Sequence, residues 1–472
     1  MNRFAVLKRH TVVKRHNIFA FLFLTLASIF VSQFAFAQGQ QSQKMEAPKR
    51  IAIRAGRLID GKSDKPILNA LIIVEGGRIV SVTANGNPAS DPKNYPGMEV
   101  IDLSHSTVLP GLIDAHTHVL LQGDNTAADY DPQLLKESIP YRAILGARNA
   151  QVAMSHGFTT LRDLETEGAM YADVDVKTAI NRGEIPGPRM FVATRAMAPT
   201  GMYPLQGYSW ELDLPHGVQI VDGPESARKA VREQLSHGAD WIKYYSDRNY
   251  FYKADGVLHS WVNFTDEEAR AIVDEAHRQG HHVAAHAIGS DGIAAALRAG
   301  VDSIEHGDGM TEEQMDEMVR RGIYWVPTIM VGASVAPARQ GNWPKMVETE
   351  KAAFQKAYRK GVKIVFGTDA GGFAWTGADS LNEVMELNYY VQYGMSPMDA
   401  IRTATTRAAE LLGMSDSLGS IEAGKFADMI AVSGDPLTDI TELERVKFVM
   451  KNGAVYKSEN NTLAENRGKD LK

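Results

Sequence analysis

The chain has 472 residues, 44% of them hydrophobic and 23% charged, and its 50 basic and 57 acidic side chains give a net charge of −7. That balance excludes a disordered, collagenous or multi-span membrane protein. The absence of cysteine excludes disulfides, a thiol nucleophile, thiolate metal ligands and a lipid anchor on an N-terminal cysteine, so any metal must be held by histidine, carboxylate or a less ordinary ligand.

Residues 1–37 differ in kind from the rest. Arg3, Lys8, Arg9, Lys14 and Arg15 come without an acid, residues 17–31 are almost wholly apolar, and Ala35-Phe36-Ala37 presents small residues to a peptidase. This is the order of a secretory signal peptide cleaved near Ala37, with an uncleaved N-terminal anchor as the alternative. Cleavage leaves 45 basic and 57 acidic residues, a net charge of −12. Such a chain is expected to be secreted or periplasmic, without nucleic acid as a partner and without stable membrane association. Residues 38–49 read as a polar tether.

Residues 50–107 and 418–457 are short β runs punctuated by glycine. They bracket the remaining chain and share a pattern, which predicts one small composite β-sandwich domain built from both ends, followed by a polar tail at 458–472. Between them, residues 108–417 alternate strands with helices. The strands are predicted at 108–119, 158–164, 189–197, 240–247, 282–288, 302–308, 323–330 and 363–371. Eight strand–helix units predict an α/β fold of the (β/α)₈ TIM-barrel type, and no G-x-G-x-x-G follows the first strand to favour an open doubly wound sheet. Two helices have readable ends. Thr265 and Glu268 form a capping box for one that stops at Gly280, and Ser396-Pro397 opens another expected to run through Ala404 and Ala408 to Leu411, before Gly413.

The chemistry falls at the strand ends. His116 and His118 are two apart on a strand, so both imidazoles share a face; alone, such a pair could equally decorate the surface. His286, His306 and Asp369 end the fifth, sixth and eighth predicted strands, where barrel active sites are assembled. Lys243 lies inside an apolar strand, where an ammonium is costly unless paired, neutralised or modified. A desolvated lysine has a lowered pKa and reacts with carbon dioxide, and the resulting carbamate has two oxygens able to bridge two divalent cations. His156, His237, His277 and His281 sit away from the strand ends and read as outer-ring residues.

The segments VLPGLIDAHTHV, GADWIK, HVAAHAIG, SIEHGD and FGTDAG resemble the motif series of the amidohydrolase superfamily over nearly the whole mature chain. Within it the chain is similar to the branch of Xaa-Pro dipeptidase-like carboxypeptidases and ochratoxinase-like amide hydrolases, and more loosely to imidazolonepropionase. The resemblance implies two divalent metal ions, zinc foremost. His116 and His118 would hold the more buried metal, His286 and His306 the more exposed one, and Lys243, as carbamate, would bridge both. Asp369 would be a ligand and the catalytic proton carrier, with a metal-bridging hydroxide as nucleophile. The substrate implied is a dipeptide or N-acyl amino acid with a free carboxylate, cleaved at its C-terminal amide.

Clamping that carboxylate needs a cationic or hydroxyl group. Arg162, Arg195, Tyr244 and Tyr245 are the candidates; for each arginine an internal ion pair stands beside this reading, Asp163 or Asp114 being possible partners for Arg162. Position 288 is isoleucine where several relatives carry an aromatic residue or a second histidine that helps polarise the substrate, a departure that leaves open the specificity the resemblance implies. The aromatic stretches 202–210 and 250–261 either line an apolar pocket or act as loop covers or a subunit contact in a homo-oligomer. The alternative functions are a one-metal cyclic amide hydrolase or deaminase of the imidazolonepropionase kind and a catalytically silent binding scaffold.

Overall fold

The computed structural model describes residues 49–84, 98–122, 130–337, 341–375, 382–458 and 461–462. The signal segment and all but the last residue of the polar tether lie outside them. Among the described residues no helix is long and apolar enough to cross a membrane.

Eight parallel strands form the barrel: Leu112–Thr117, Phe158–Asp163, Arg189–Val192, Trp241–Tyr245, His282–Ala287, Ser303–His306, Tyr324–Val326 and Lys363–Ile364. The first three pair with one another, and the last five form a second run joined to Met197–Ala198 just past the third strand. Backbone bonds close the ring. Ala115 N donates to Phe366 O at 3.0 Å and Thr117 bridges Ala370, joining the first strand to the eighth; Asp240 N donates to Val192 O at 2.7 Å, joining the third to the fourth. Helices including Ile139–Ser155, Pro224–Ser236, Asp266–Arg278 and Ser290–Ala299 cover the outside. Their alanine-rich faces pack on the strands, as Ala269, Ile272, Val273 and Ala276 do in the helix that opens on the Thr265–Glu268 capping box.

The two flanks share one eight-stranded sheet, in which Glu99–Pro110 lies between the parallel Arg50–Leu58 and the antiparallel Met429–Val432. The sheet folds over on itself: Ile79 N bonds Lys425 O and Ala427 N bonds Gly77 O. Ile53, Leu58, Ile72, Val108, Met429 and Phe448 fill the enclosed core. The predicted strand 108–119 is in fact two. Val108, Leu109 and Pro110 belong to the β domain, and the barrel begins after Gly111, where a side chain would collide with Thr159. The chain leaves the sheet through Ser458, and Asn461–Thr462 pairs back onto it, so the strand at this end outlasts the predicted boundary.

The helix expected from Ser396 to Leu411 is broken into Pro397–Thr403 and Thr406–Leu411. The cause is competition for carbonyls. Thr403 O accepts from Phe366 N and Ala404 O from Ile113 N, so two helix acceptors are diverted to barrel strands.

Candidate active site

All six predicted ligands meet at the C-terminal mouth of the barrel. A register shift between Asp114 and Thr117 turns the first strand so that His116 and His118 both enter the barrel next to Ala115. Lys243 projects from the fourth strand, with its Nζ 3.2 Å from His116 Nε2. His118 Nε2 lies 3.2 Å from His116 Nε2 and 2.8 Å from Asp369 Oδ1. The His306 ring stands 5.2 Å from that of His116 and 4.5 Å from that of His286. His306 (φ 69°) and Asp369 (φ 58°) adopt left-handed conformations that cost non-glycine residues energy and recur at functional sites.

The outer nitrogens are held, which aims the inner ones. His116 Nδ1 lies 2.8 Å from Glu305 Oε2, a charge contact off the line of a directed hydrogen bond. His118 Nδ1 meets the Glu165 carbonyl at 3.2 Å, and His306 Nδ1 meets the Thr328 hydroxyl at 2.8 Å. This is how a protein fixes the tautomer of an imidazole ligand. On His286 it is Nε2 that is engaged, by the Tyr250 hydroxyl at 2.7 Å, with Asp247 Oδ1 at 3.6 Å.

Burial and the Lys243 charge push His116 well below the usual histidine range, and burial with His306 does the same to His286. Burial lowers His306 to about 4. Burial also lowers His118, but the hydrogen bond and charge of Asp369 outweigh it and raise the ring to about 9. Desolvation would raise the half-buried Asp369, yet the charges of His116 and His118 and the His118 hydrogen bond hold it far below the usual carboxylate range. Burial lowers Lys243 against the pull of Glu305 and Asp369; no carboxylate among the described residues stands within ion-pair distance of its Nζ.

These residues fit divalent cations. Donor atoms of His116, His306 and Asp369 lie within 4.8 Å of one another. Unprotonated imidazoles and an ionised carboxylate are the donor set of borderline metals such as zinc. The pull that keeps a proton on His118 is the negative charge that would hold a cation.

Three of the four predicted substrate contacts are elsewhere. Arg162 is wholly buried and pairs with Glu305, not with Asp163 or Asp114: its Nη2 reaches Glu305 Oε1 at 2.9 Å and its guanidinium stacks 4.5 Å above Trp241. Tyr244 points out of the barrel against Phe264, because strand alternation sends it opposite to Lys243 and Tyr245. Arg195 sits half-buried beside Tyr171 in the helix layer. Tyr245 is at the site, with its ring 4.7 Å from His286. The outer histidines have structural partners: His156 pairs with Glu383, His237 stacks on Tyr171, His277 pairs with Asp302 and His281 bonds the Asp240 carbonyl.

The stretch 250–261 forms a hairpin over the mouth. Asn249, Tyr250, Phe251, Trp261, Asn342, Trp343 and Met346 line a cavity of about 460 Å³. In the stretch 202–210, Met202 and Leu205 are buried while Trp210 is 90% exposed. Sequence reasoning missed Glu305, Thr328 and Tyr250, and also Glu165 and Glu167, whose carboxylates stand beside His118. Alternation would have found Glu305, which shares a strand face with Ser303. The left-handed turn at His306 is what lets two consecutive residues both serve the site.

The family model for the amidohydrolase family matches residues 107–456. An ochratoxinase from Aspergillus niger is 31% identical over 440 residues, covering 86% of each chain. A Xaa-Pro dipeptidase solved with methionine bound in its active site is 37% identical and superimposes with a TM-score of 0.74, covering 87% of this chain and 100% of the other. The crystal structure of A. niger ochratoxinase superimposes with a TM-score of 0.72 at 29% identity, over 88% of this chain and 96% of the other. An imidazolonepropionase from Thermoplasma volcanium is 22% identical over 423 residues, or 82% of this chain and 91% of that one. With the family model matched over residues 107–456 and a relative 31% identical over 86% of the chain, the chain belongs to the amidohydrolase family and is a hydrolase of carbon–nitrogen bonds.

Proposed function

We propose that the chain is a secreted, binuclear metal-dependent hydrolase that cleaves the C-terminal amide of dipeptides or N-acyl amino acids. The observation that carries this reading is the convergence of His116, His118, Lys243, His286, His306 and Asp369 at one barrel mouth, beside a cavity large enough for a substrate side chain. Bound there, two divalent cations, zinc by donor preference, would polarise the scissile carbonyl and lower the pKa of water.

The chain's own groups supply the rest. Asp369 is the most exposed of the central ligands, with 22% of its side chain accessible against 0% for His116 and 5% for His118. Its ionised carboxylate takes the proton of the attacking water and returns it to the leaving nitrogen, which an amide requires because an amine anion is a poor leaving group. Among the described residues no carboxylate stands within ion-pair distance of Lys243, and burial lowers its pKa towards the neutral amine. That amine adds to carbon dioxide and releases one proton, turning a costly buried cation into an anionic oxygen ligand. Phe251, Trp261, Trp343 and Met346 offer apolar surface to a bulky side chain, and the N-terminal segment carries the export assignment.

Metal analysis of the purified mature protein, run with a screen of Xaa-Pro, Xaa-Arg and N-acyl-Phe substrates, tests this reading. Two metals per chain and turnover of at least one amide class are expected. One metal per chain with turnover of cyclic imides alone would replace it with the imidazolonepropionase-like alternative. Lys243→Ala should lose metal bridging and turnover together; full activity with two metals in that variant would refute the carbamate.

A further inference from the structure

Beside the candidate metal ligands lies a buried pair of acids that the proposed hydrolysis does not use. The second barrel strand runs into Glu165 and Glu167, which are 0% and 3% exposed. Their carboxylate oxygens and a ring nitrogen of His118 lie within 4.8 Å of one another. The Tyr245 hydroxyl donates to Glu165 Oε2 at 2.6 Å and meets the Tyr203 hydroxyl at 2.7 Å, and the Tyr130 hydroxyl donates to Glu167 Oε2 at 2.8 Å. Glu165 Oε1, equally buried, has no hydrogen-bond partner. Arg142 makes no hydrogen bond to either carboxylate, its donors going to the carbonyls of Leu120, Thr166 and Glu167, so that it and His118 act on the acids through charge alone. Gly217 closes the wall: a Cβ there would overlap the Tyr130 hydroxyl and stand 3.1 Å from Glu167 Oε2.

The hydrogen bonds to these two acids come from phenols, and burial raises both carboxyls against the charges of His118, Lys243 and Arg142, so a further cation between them would be stabilising. We propose that Glu165 and Glu167 are the subsite for a cationic nitrogen of the substrate, with the α-ammonium of a free dipeptide as the group that distance favours. An ammonium has three donors and no acceptor, which suits a pocket whose remaining capacity is carboxylate and phenol oxygen. In a dipeptide the ammonium nitrogen is two bonds, about 2.5 Å, from the scissile carbonyl carbon, so a carbonyl held at the metal ligands places it next to His118 and this pocket. A lysine or arginine side chain carries the same chemistry on a longer stem. The proposal rests on the amide-hydrolase reading and sharpens it, because a neutral N-acyl amino acid would leave the acids unpaired.

The test compares metal-loaded wild type with Glu165→Gln and Glu167→Gln on two matched substrate pairs. One is L-methionyl-L-phenylalanine against its desamino analogue, which keeps the shape and lacks the amine. The other is an N-acetyl dipeptide ending in lysine against one ending in norleucine. In the variants, kcat/KM for the cationic member of one pair should fall about 10- to 100-fold, chiefly through KM, as for loss of a charge-assisted hydrogen bond, while its neutral partner changes less than about 3-fold. The affected pair identifies the source of the cation. Equal losses on both members, an unchanged preference, or loss of a bound metal from either variant would overturn the proposal. Wild-type turnover of neutral amides in preference to cationic ones would overturn it while leaving the amide-hydrolase reading intact; no turnover of any amide would overturn both.

Discussion

Replacing Arg162 with methionine separates an internal ion pair from a substrate clamp. Arg162 and Glu305 are both 0% exposed. The guanidinium donates to Ala115 O at 2.5 Å, Ser303 Oγ at 3.2 Å and Glu305 Oε1 at 2.9 Å, and it lies over the Trp241 ring. Arg162→Met leaves the Glu305 carboxylate with the Ser303 hydroxyl, 2.5 Å away, and the His116 ring as its remaining contacts. Removing one partner of a buried ion pair costs about 3–5 kcal/mol, far above the roughly 0–1 kcal/mol of an exposed pair. Urea unfolding of the apo-protein should show that loss. The double variant Arg162→Met with Glu305→Gln should recover most of it, because the stranded charge is gone, giving a coupling energy of about 2 kcal/mol or more. A single variant within about 1 kcal/mol of wild type, with a tenfold rise in KM confined to substrates bearing a carboxylate, would refute the argument and return Arg162 to the substrate.

Tyr244→Phe should leave kcat/KM within about 2-fold of wild type, since the ring faces Phe264 outside the barrel and a single neutral hydrogen bond is worth about 1 kcal/mol; steady-state kinetics reads this, and a tenfold loss would contradict the orientation. Gly217→Ala should disturb the Tyr130–Glu167 wall, because its Cβ would overlap the Tyr130 hydroxyl; overpacking of this kind costs about 1–3 kcal/mol, which thermal unfolding would register. Hydrogen bonds from Arg232, then Arg278, hold Glu275 at about 2. A carboxyl depressed in the folded state contributes stability that is present above its unfolded value, near 4.5, and is lost as pH falls towards 2. Glu275→Gln should therefore flatten the stability profile between about pH 5 and 2, as followed by denaturant midpoints; an unchanged acid limb would contradict the assignment. Tyr250→Phe removes the hydroxyl from His286 Nε2 and should alter kcat/KM while leaving stability within about 1 kcal/mol, measured on the same preparation.

Much of the fold and the convergence of the candidate ligands was legible because both depend on local periodicity. Alternating β-branched runs and capped helices are short-range signals, and the eight strands they mark form the barrel. His116 and His118 share a face by strand period, and His286, His306 and Asp369 announce themselves by ending strands. Even Tyr244 and Tyr245 could have been told apart by alternation from Lys243, a step within reach of the sequence.

What the sequence by itself determined was therefore the architecture and the identity of the six side chains that converge at the barrel mouth, since element type and strand ends follow from nearest-neighbour pattern. Tertiary structure alone decided the partners. Glu305, 143 residues from Arg162, claims its charge because barrel closure brings the second and sixth strands' side chains into one dry interior, where an unpaired guanidinium is too costly to persist. The same closure diverts the carbonyls of Thr403 and Ala404 from their helix to the strands beside them. It also gathers Tyr130, Tyr203 and Tyr245 around Glu165 and Glu167, because hydrogen bonds and charges are satisfied by neighbours in space, whatever their distance along the chain.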